Sequence, residues 1–138
     1  MRKKLNKKDI LKRRAKLKKQ AWNYMSKYVR QRDNGTCISC GKKDHWKKMD
    51  AGHYVPKSAG LAAYFEIKNV HCQCTYCNRF MHGNLSRYAV ALTRMYGPKI
   101  IEELEKCRTT ITKYTDDDYI AITEMYKNKI VENGFDIK

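Results

Sequence analysis

The chain has 138 residues, of which 42% are hydrophobic, enough for one domain with an extension but not for a large core. No run of about 18 apolar residues occurs, so the sequence offers no membrane-spanning helix; the basic N-terminus has no apolar segment behind it and does not read as a secretory signal, which leaves the cytoplasm as the default location. The formal net charge is +16 and is unevenly placed: residues 1–101 carry 24 Lys or Arg against 5 Asp or Glu, residues 102–138 carry 6 against 9.

A cationic front of that size attracts polyanions, and nucleic acid is the commonest in a cell. The plainer reading is a solubilising surface, but +16 exceeds what solubility asks of this mass.

In chain order, Lys7 to Arg32 contains no Gly or Pro. Trp22, Met25 and Val29 follow helical spacing with Tyr28 on the same side, so a long helix is predicted, ended by Asp33-Asn34-Gly35. Its first half is too cationic to bury. Cys37-Ile-Ser-Cys40-Gly41 reads as a tight metal-binding turn. Trp46 to Tyr54 reads as a short strand or hairpin arm, Val55 to Ala63 as a loop, and Tyr64 to Val70 as a second strand. Cys74 to His82 reads as the start of a helix broken by Gly83-Asn84. Leu85 to Tyr96 reads as a helix with Leu85, Tyr88, Ala89, Leu92 and Tyr96 on one face. Gly97-Pro98 separates it from an apolar face made by Ile100, Ile101 and Leu104. Thr115 followed by Asp118 is a capping-box pattern, and Asp116 to Asp118 suit a helix N-terminus, so a last helix is predicted from Asp116 to about Glu132. The expected division is a basic N-terminal helix over 1–33, a zinc-stapled core over 34–96 and a helical segment over 97–138.

Of the six cysteines, Cys37/Cys40 and Cys74/Cys77 form two Cys-x-x-Cys pairs separated by 33 residues. Two-residue spacing lets two thiolates grip one tetrahedral ion, and two such pairs fill a structural zinc shell. That shell has no open position, so its work is folding and not chemistry. Cys72 could stand in for Cys74, although a packed thiol suits it better. Cys107 reads as core.

Between and beside these pairs lie Asp50-Ala-Gly-His53-Tyr54, Asn69-Val-His71 and Asn78-x-x-x-His82. The order resembles the HNH (His-Me finger) pattern: a histidine at a strand end, an asparagine closing the following loop, and a metal ligand on the next helix. A closer likeness runs through Cys37-Ile-Ser-Cys40-Gly41, Asp50-Ala-Gly-His53-Tyr54, Asn69-Val-His71, Gln73-Cys74-x-x-Cys77-Asn78 and Gly83-Asn84-Leu85. It resembles the bacteriophage NinG family over roughly residues 20–130.

The resemblance implies an α+β fold with a ββα-metal core, one structural zinc, and helices before and after it. It implies a phage recombination endonuclease acting on branched DNA such as D-loops and Holliday junctions. His53 is then the general base, a role suited to a ring that titrates near working pH, and Asn69 holds the His53 segment. Asp50, Asn78 and His82 are the candidates for a catalytic Mg²⁺ or Mn²⁺, since mixed oxygen and nitrogen donors suit those ions. Much of the HNH group has an acid or histidine directly before the catalytic histidine; here Gly52 stands there. A regular strand would point Asp50 and His53 to opposite faces, so a bend at Gly52 is needed if Asp50 is to serve the same ion. His82 is included because a regular helix would stack it one turn beyond Asn78. His71 reads as structural. No zinc module is expected ahead of the basic helix, although some longer relatives carry one.

Lys57, Arg79, Arg87 and Arg94 lie close to the proposed site in sequence and are candidate phosphate contacts. The N-terminal run, with Lys12, Arg13 and Arg14 at its centre, could lie along a duplex arm. Such contacts position DNA without reading its sequence. Cutting two strands of a junction favours a homodimer. The rival readings are a noncatalytic zinc module that binds nucleic acid, and an HNH enzyme that nicks ordinary duplex.

Overall fold

The structure, a computed structural model, describes residues 3–138. It is a mixed α+β chain of helices and a two-stranded sheet. Helix α1 spans Lys7–Arg32. Asn6 caps it by accepting the Asp9 amide N–H on its side-chain oxygen at 2.9 Å, which satisfies one of the orphan donors of the first turn. Beyond its end, Asn34 and Gly35 adopt left-handed φ values of 53° and 63°. Gly35 is required there, since a Cβ would fall 1.9 Å from the Asp44 carbonyl oxygen.

The strands are β1 (Asp50–His53) and β2 (Val70–Gln73), antiparallel, with Asp50 opposite Gln73 and His53 opposite Val70. The first falls within the expected Trp46–Tyr54 segment, and the second lies later than the sequence pattern suggests. Trp46–Lys48 is a 3₁₀ turn capped by the His45 ring. Tyr64 ends a single helical turn, α2 (Leu61–Tyr64), and Ile67–Asn69 is another 3₁₀ turn. The second strand was misplaced because β2 is buried on both faces, His71 and Gln73 included, so it carries no apolar–polar alternation to read.

After β2 the chain makes one wide turn, Tyr76–Phe80, closed by the Met81 N–H on the Tyr76 carbonyl five residues back, at 2.9 Å. His82, Gly83 and Asn84 then all take positive φ, and the expected break falls there. Helix α3 runs Leu85–Tyr96 as its spacing predicts, and a short α4 covers Ile100–Glu105. Helix α5 is Asp116–Glu132 with the predicted capping box: Thr115 Oγ1 accepts the Asp118 N–H, and Asp118 Oδ2 accepts the Thr115 N–H at 2.8 Å.

By packing, the chain falls into two units. One joins the part of α1 up to Tyr28 with residues Tyr114–Lys138. There the Arg14 guanidinium meets Asp116 at 2.9 Å, and the Tyr28 ring lies 5.6 Å from that of Tyr126. The other is Val29–Lys113. Helix α4 belongs to this second unit, because Ile100 and Leu104 join Val55, Ala63, Tyr88 and Leu92 in its core. The partition therefore differs from the expected boundaries at 33 and 97. A second cluster groups Cys37, Met49, Cys72, Cys74 and Cys77. Among the described residues, no helix is long and apolar enough to cross a membrane.

Candidate functional site

The four cysteines of the two Cys-x-x-Cys pairs come together. Their sulfurs all lie within 4.8 Å of one another, and Cys40 and Cys74 are 3.7 Å apart. A tetrahedral zinc with bonds of about 2.3 Å would set its sulfurs roughly 3.8 Å apart, so the cluster could hold a metal ion such as zinc. The turn is built by backbone: the Cys37 N–H donates to the Lys42 carbonyl at 2.8 Å and the Gly41 N–H to the Cys37 carbonyl at 2.9 Å. On the far side the Cys77 N–H points at Cys74 Sγ (3.4 Å) and Asn84 Nδ2 at Cys77 Sγ (3.5 Å), contacts that favour thiolates. Cys72 lies beside this cluster but outside the set of four. Burial pushes its thiol up to about 12, so it stays protonated, and its own N–H donates to Asp33 at 2.8 Å. Cys107 is half-buried against the core formed with α3 and α4.

Strand β1 places Asp50 and His53 three residues apart in a continuous ladder, without a bend at Gly52. The two side chains therefore leave opposite faces of the strand. The expectation that a bend brings Asp50 round to the face of His53 is corrected by this register.

On one face stands His53. Its Nε2 is 2.9 Å from the Tyr64 carbonyl oxygen, and its ring lies 5.2 Å from that of Tyr64. A carbonyl only accepts, so Nε2 carries the proton and Nδ1 is the ring's basic nitrogen. Burial pulls the His53 pKa down to about 4; the Tyr64 carbonyl opposes this and the nearby charge of Lys57 adds to it. The ring is therefore neutral near pH 7, and the expectation that it titrates near working pH is corrected: burial moves its titration well below that range. Asn69 clamps the segment that follows. Fully buried, it accepts the Val55 N–H at 2.8 Å and donates to the Val55 and Ala63 carbonyls at 2.9 Å each, so three of its hydrogen-bonding positions fix the path after His53.

On the other face the structure brings Asp50 and Asn78 together. Asn78 Nδ2 donates to Asp50 Oδ2 at 3.0 Å, and exposed Arg79 pairs with the same carboxylate at 3.2 Å. Gln73, which the sequence reading did not single out, completes this face. Its Nε2 donates to the Gly83 carbonyl at 2.7 Å and to Ser39 Oγ at 2.9 Å, which fixes the amide orientation. Its Oε1 is buried without a hydrogen-bond donor. That oxygen occupies the space over Gly52: a Cβ there would lie 1.8 Å from Gln73 Oε1 and 3.0 Å from Asn78 Oδ1. Two amide oxygens thus converge beside Gly52. The only sequence signal for this was Gln73 within the family-like run.

His82 is not brought into the group by helical stacking. The wide turn ends at Phe80, and His82 is exposed with a φ of 49°, so the one-turn spacing from Asn78 does not apply. His71 is structural in its contacts. Tyr88 OH donates to the Gly52 carbonyl at 2.8 Å and lies 3.3 Å from His71 Nδ1, and Tyr96 OH lies 2.9 Å from His71 Nε2. This chain, buried at Tyr88 and His71, ties α3 to β1 directly behind Gly52. Spacing had marked Tyr88 and Tyr96 only as an apolar face.

Among the candidate phosphate contacts, Lys57 is exposed near His53, and Arg87 and Arg94 line a shallow cleft of about 360 Å³ with Ile38 and Val90. Lys12 is exposed on α1. Arg13 and Arg14 both approach Asp116, at 3.6 and 2.9 Å.

A family model described as "Bacteriophage Lambda NinG protein" matches residues 1–133. The chain is 34% identical over 113 residues to proteins named "Protein ninG" from Escherichia phage 933W, Salmonella phage P22 and Escherichia phage lambda, a stretch that is 81% of this chain. That stretch is 55% of the 933W and P22 proteins and 54% of the lambda protein, so the chain spans about half the length of the curated relatives it matches. No solved structure matches it significantly. On the match over nearly its whole length, the chain belongs to the phage NinG family.

Proposed function

We propose that this chain is a divalent-metal-dependent endonuclease that cuts phosphodiesters in branched, recombining DNA, with the four-cysteine cluster holding a structural zinc inside a ββα-metal core. The observation that carries this reading is the state of His53. Its Nε2–H is anchored on the Tyr64 carbonyl, which makes Nδ1 the basic nitrogen, and burial keeps the ring neutral near pH 7.

In the proposed reaction Nδ1 of His53 accepts a proton from a water as its oxygen attacks phosphorus. The P–O3′ bond breaks and the electron pair leaves with the 3′ oxygen. Asn69 keeps the His53 segment in place through its bonds to Val55 and Ala63. Asp50, Asn78 and Gln73, on the face of β1 opposite His53, are the residues that would hold Mg²⁺ or Mn²⁺, so base and ion would have to meet one phosphate across the strand end that His53 forms. Their fit rests on the donor-free Gln73 Oε1 and on the pocket over Gly52 that a side chain would fill. Such an ion, when bound, neutralises charge on the phosphate and on the leaving oxygen. The Arg79 side chain is 68% exposed, so its pair with Asp50 is weak and yields to a harder cation. The branched substrate class is proposed on the resemblance alone; the charge of +16 supports a polyanion and says nothing of branching. Cutting both strands of a junction would use two copies of the chain.

The rival reading, a noncatalytic zinc module, draws on the Arg79–Asp50 pair, which satisfies the carboxylate without a metal. A labelled four-way junction, a D-loop and a linear duplex, each treated with wild type and His53→Ala in Mg²⁺, Mn²⁺ or EDTA, separate the readings. The nuclease reading expects binding by both proteins, and metal-dependent cutting of the branched substrates by wild type alone. Equal cutting by the variant removes His53 from the reaction. Equal cutting of the duplex replaces the branched substrate with ordinary DNA.

A further inference from the structure

The wide turn Tyr76–Phe80 carries an aromatic residue at each end, with Asn78 and Arg79 between them. Tyr76 is 63% exposed and Phe80 71% exposed, and their rings are near parallel, 25° apart with centroids separated by 6.3 Å. Met81 and Leu85, close by in the sequence, are exposed as well. Leaving such rings in water costs solubility, and a patch of this kind marks a contact surface.

Charge narrows the partner. From Glu66 to Glu102 the intervening chain holds five cations, Lys68, Arg79, Arg87, Arg94 and Lys99, and no acid. A second copy of the chain would bring the same sign of charge to the contact, at +16 on each partner. A partner that is anionic and also offers flat apolar faces is a nucleic acid with unpaired bases. In a duplex those faces are closed by stacking; in a single strand or at an opened branch they are available.

We propose that Tyr76 and Phe80 form a stacking platform for an unpaired nucleobase, beside the face where Asp50 and Asn78 meet. The proposal rests on the nucleic-acid reading above and adds to it which feature of the DNA is recognised: a splayed base, read by its π-face and not by its edge. Every base has such a face, so the platform selects strand state and not sequence.

The test is binding in EDTA, where cutting plays no part. A labelled single strand, a linear duplex of equal length and a junction with 2-aminopurine beside the branch are titrated with wild type, Tyr76→Ala, Phe80→Ala and Phe80→Trp. Both alanine sites are exposed, and zinc content with far-UV dichroism checks that the fold is kept. Each alanine variant is expected to bind the single strand about tenfold more weakly and the duplex within about twofold of wild type. It should also lose the change in 2-aminopurine emission, which Phe80→Trp should retain. Unchanged single-strand binding, or equal losses on both DNAs, overturns the platform. So does a loss of self-association in sedimentation, or of binding to phosphatidylserine vesicles, with DNA affinity intact. If wild type binds none of the three DNAs, the nucleic-acid reading itself fails; if it binds them and the variants match it, only the stacking assignment fails.

Discussion

A methyl group on residue 52 would land 1.8 Å from Gln73 Oε1, with Asn78 Oδ1 only 3.0 Å away. Gln73 cannot simply step aside, because its Nε2 is held by the Gly83 carbonyl and Ser39. Gly52→Ala should therefore cost about 1–3 kcal/mol, the usual range for overpacking a tight interior. A urea titration reads this as a lower midpoint at unchanged slope. Gln73→Ala should be less damaging in the Gly52→Ala background than alone, since the clash is then gone; strict additivity of the two losses would show that the side chains do not compete for one space. The same scale governs the pH response of His53. Its folded pKa of about 4 lies below the unfolded value of about 6.5, so between those values the unfolded chain holds more protons. Stability from this ring is complete above pH 6.5 and falls as the pH drops toward 4. The loss by pH 5 is about 2 kcal/mol. Urea midpoints at pH 7 and pH 5 should show a smaller drop for His53→Gln than for wild type, and the difference isolates this ring from His71. Equal drops would mean that His53 is already solvated in the folded protein.

At the scale of elements, the helices α1, α3 and α5 were legible because apolar spacing and end chemistry agree in each. Thr115 opens the last run, and Asp33-Asn34-Gly35 or Gly97-Pro98 closes the other two. Strand β2 was not legible, since His71 and Gln73 are polar yet buried, and their partners come from distant chain. The Cys74–Cys77 turn was read as the start of an ordinary helix. Its five-residue closure has no counterpart in spacing and changes which neighbours stack, which is why His82 does not follow Asn78. The cysteine pairs were the clearest signal because the spacing itself encodes the geometry of grip. They also make a firm prediction. Cys77→Ser removes one sulfur from a set held within 4.8 Å, and with it the anchor that fixes the wide turn. Colorimetric release of metal from denatured protein should give about one zinc equivalent for wild type and well under half for the variant. Near-UV dichroism from the aromatics of the Val29–Lys113 unit should collapse with it. A variant with full zinc and an unchanged spectrum would remove Cys77 from the ligand set.

For the molecule as a whole, the excess of cations predicts how the proposed grip on DNA would respond to salt. Each phosphate neutralised by Lys or Arg releases counterions, so log affinity falls with log salt at a slope of about −0.9 per contact. Cations on α1 are not equivalent in this. Arg14 already meets Asp116 at 2.9 Å and Arg13 lies 3.6 Å from the same carboxylate, whereas Lys12 is exposed with no acid partner among the described residues. An arginine shared with a carboxylate gives a phosphate only part of its charge. Lys12→Gln should therefore flatten the slope by nearly one unit, and Arg14→Gln by clearly less. Asp116→Asn should act the other way: with the competing acid gone, both arginines become available and the slope steepens. Anisotropy of a labelled duplex over a potassium chloride series measures all three. If Lys12→Gln leaves the slope unchanged while Lys57→Gln or Arg87→Gln flattens it, the duplex is held by the Val29–Lys113 unit alone. The long basic helix then contributes attraction at a distance, in the form of faster association at low salt, and makes no contact with the phosphates.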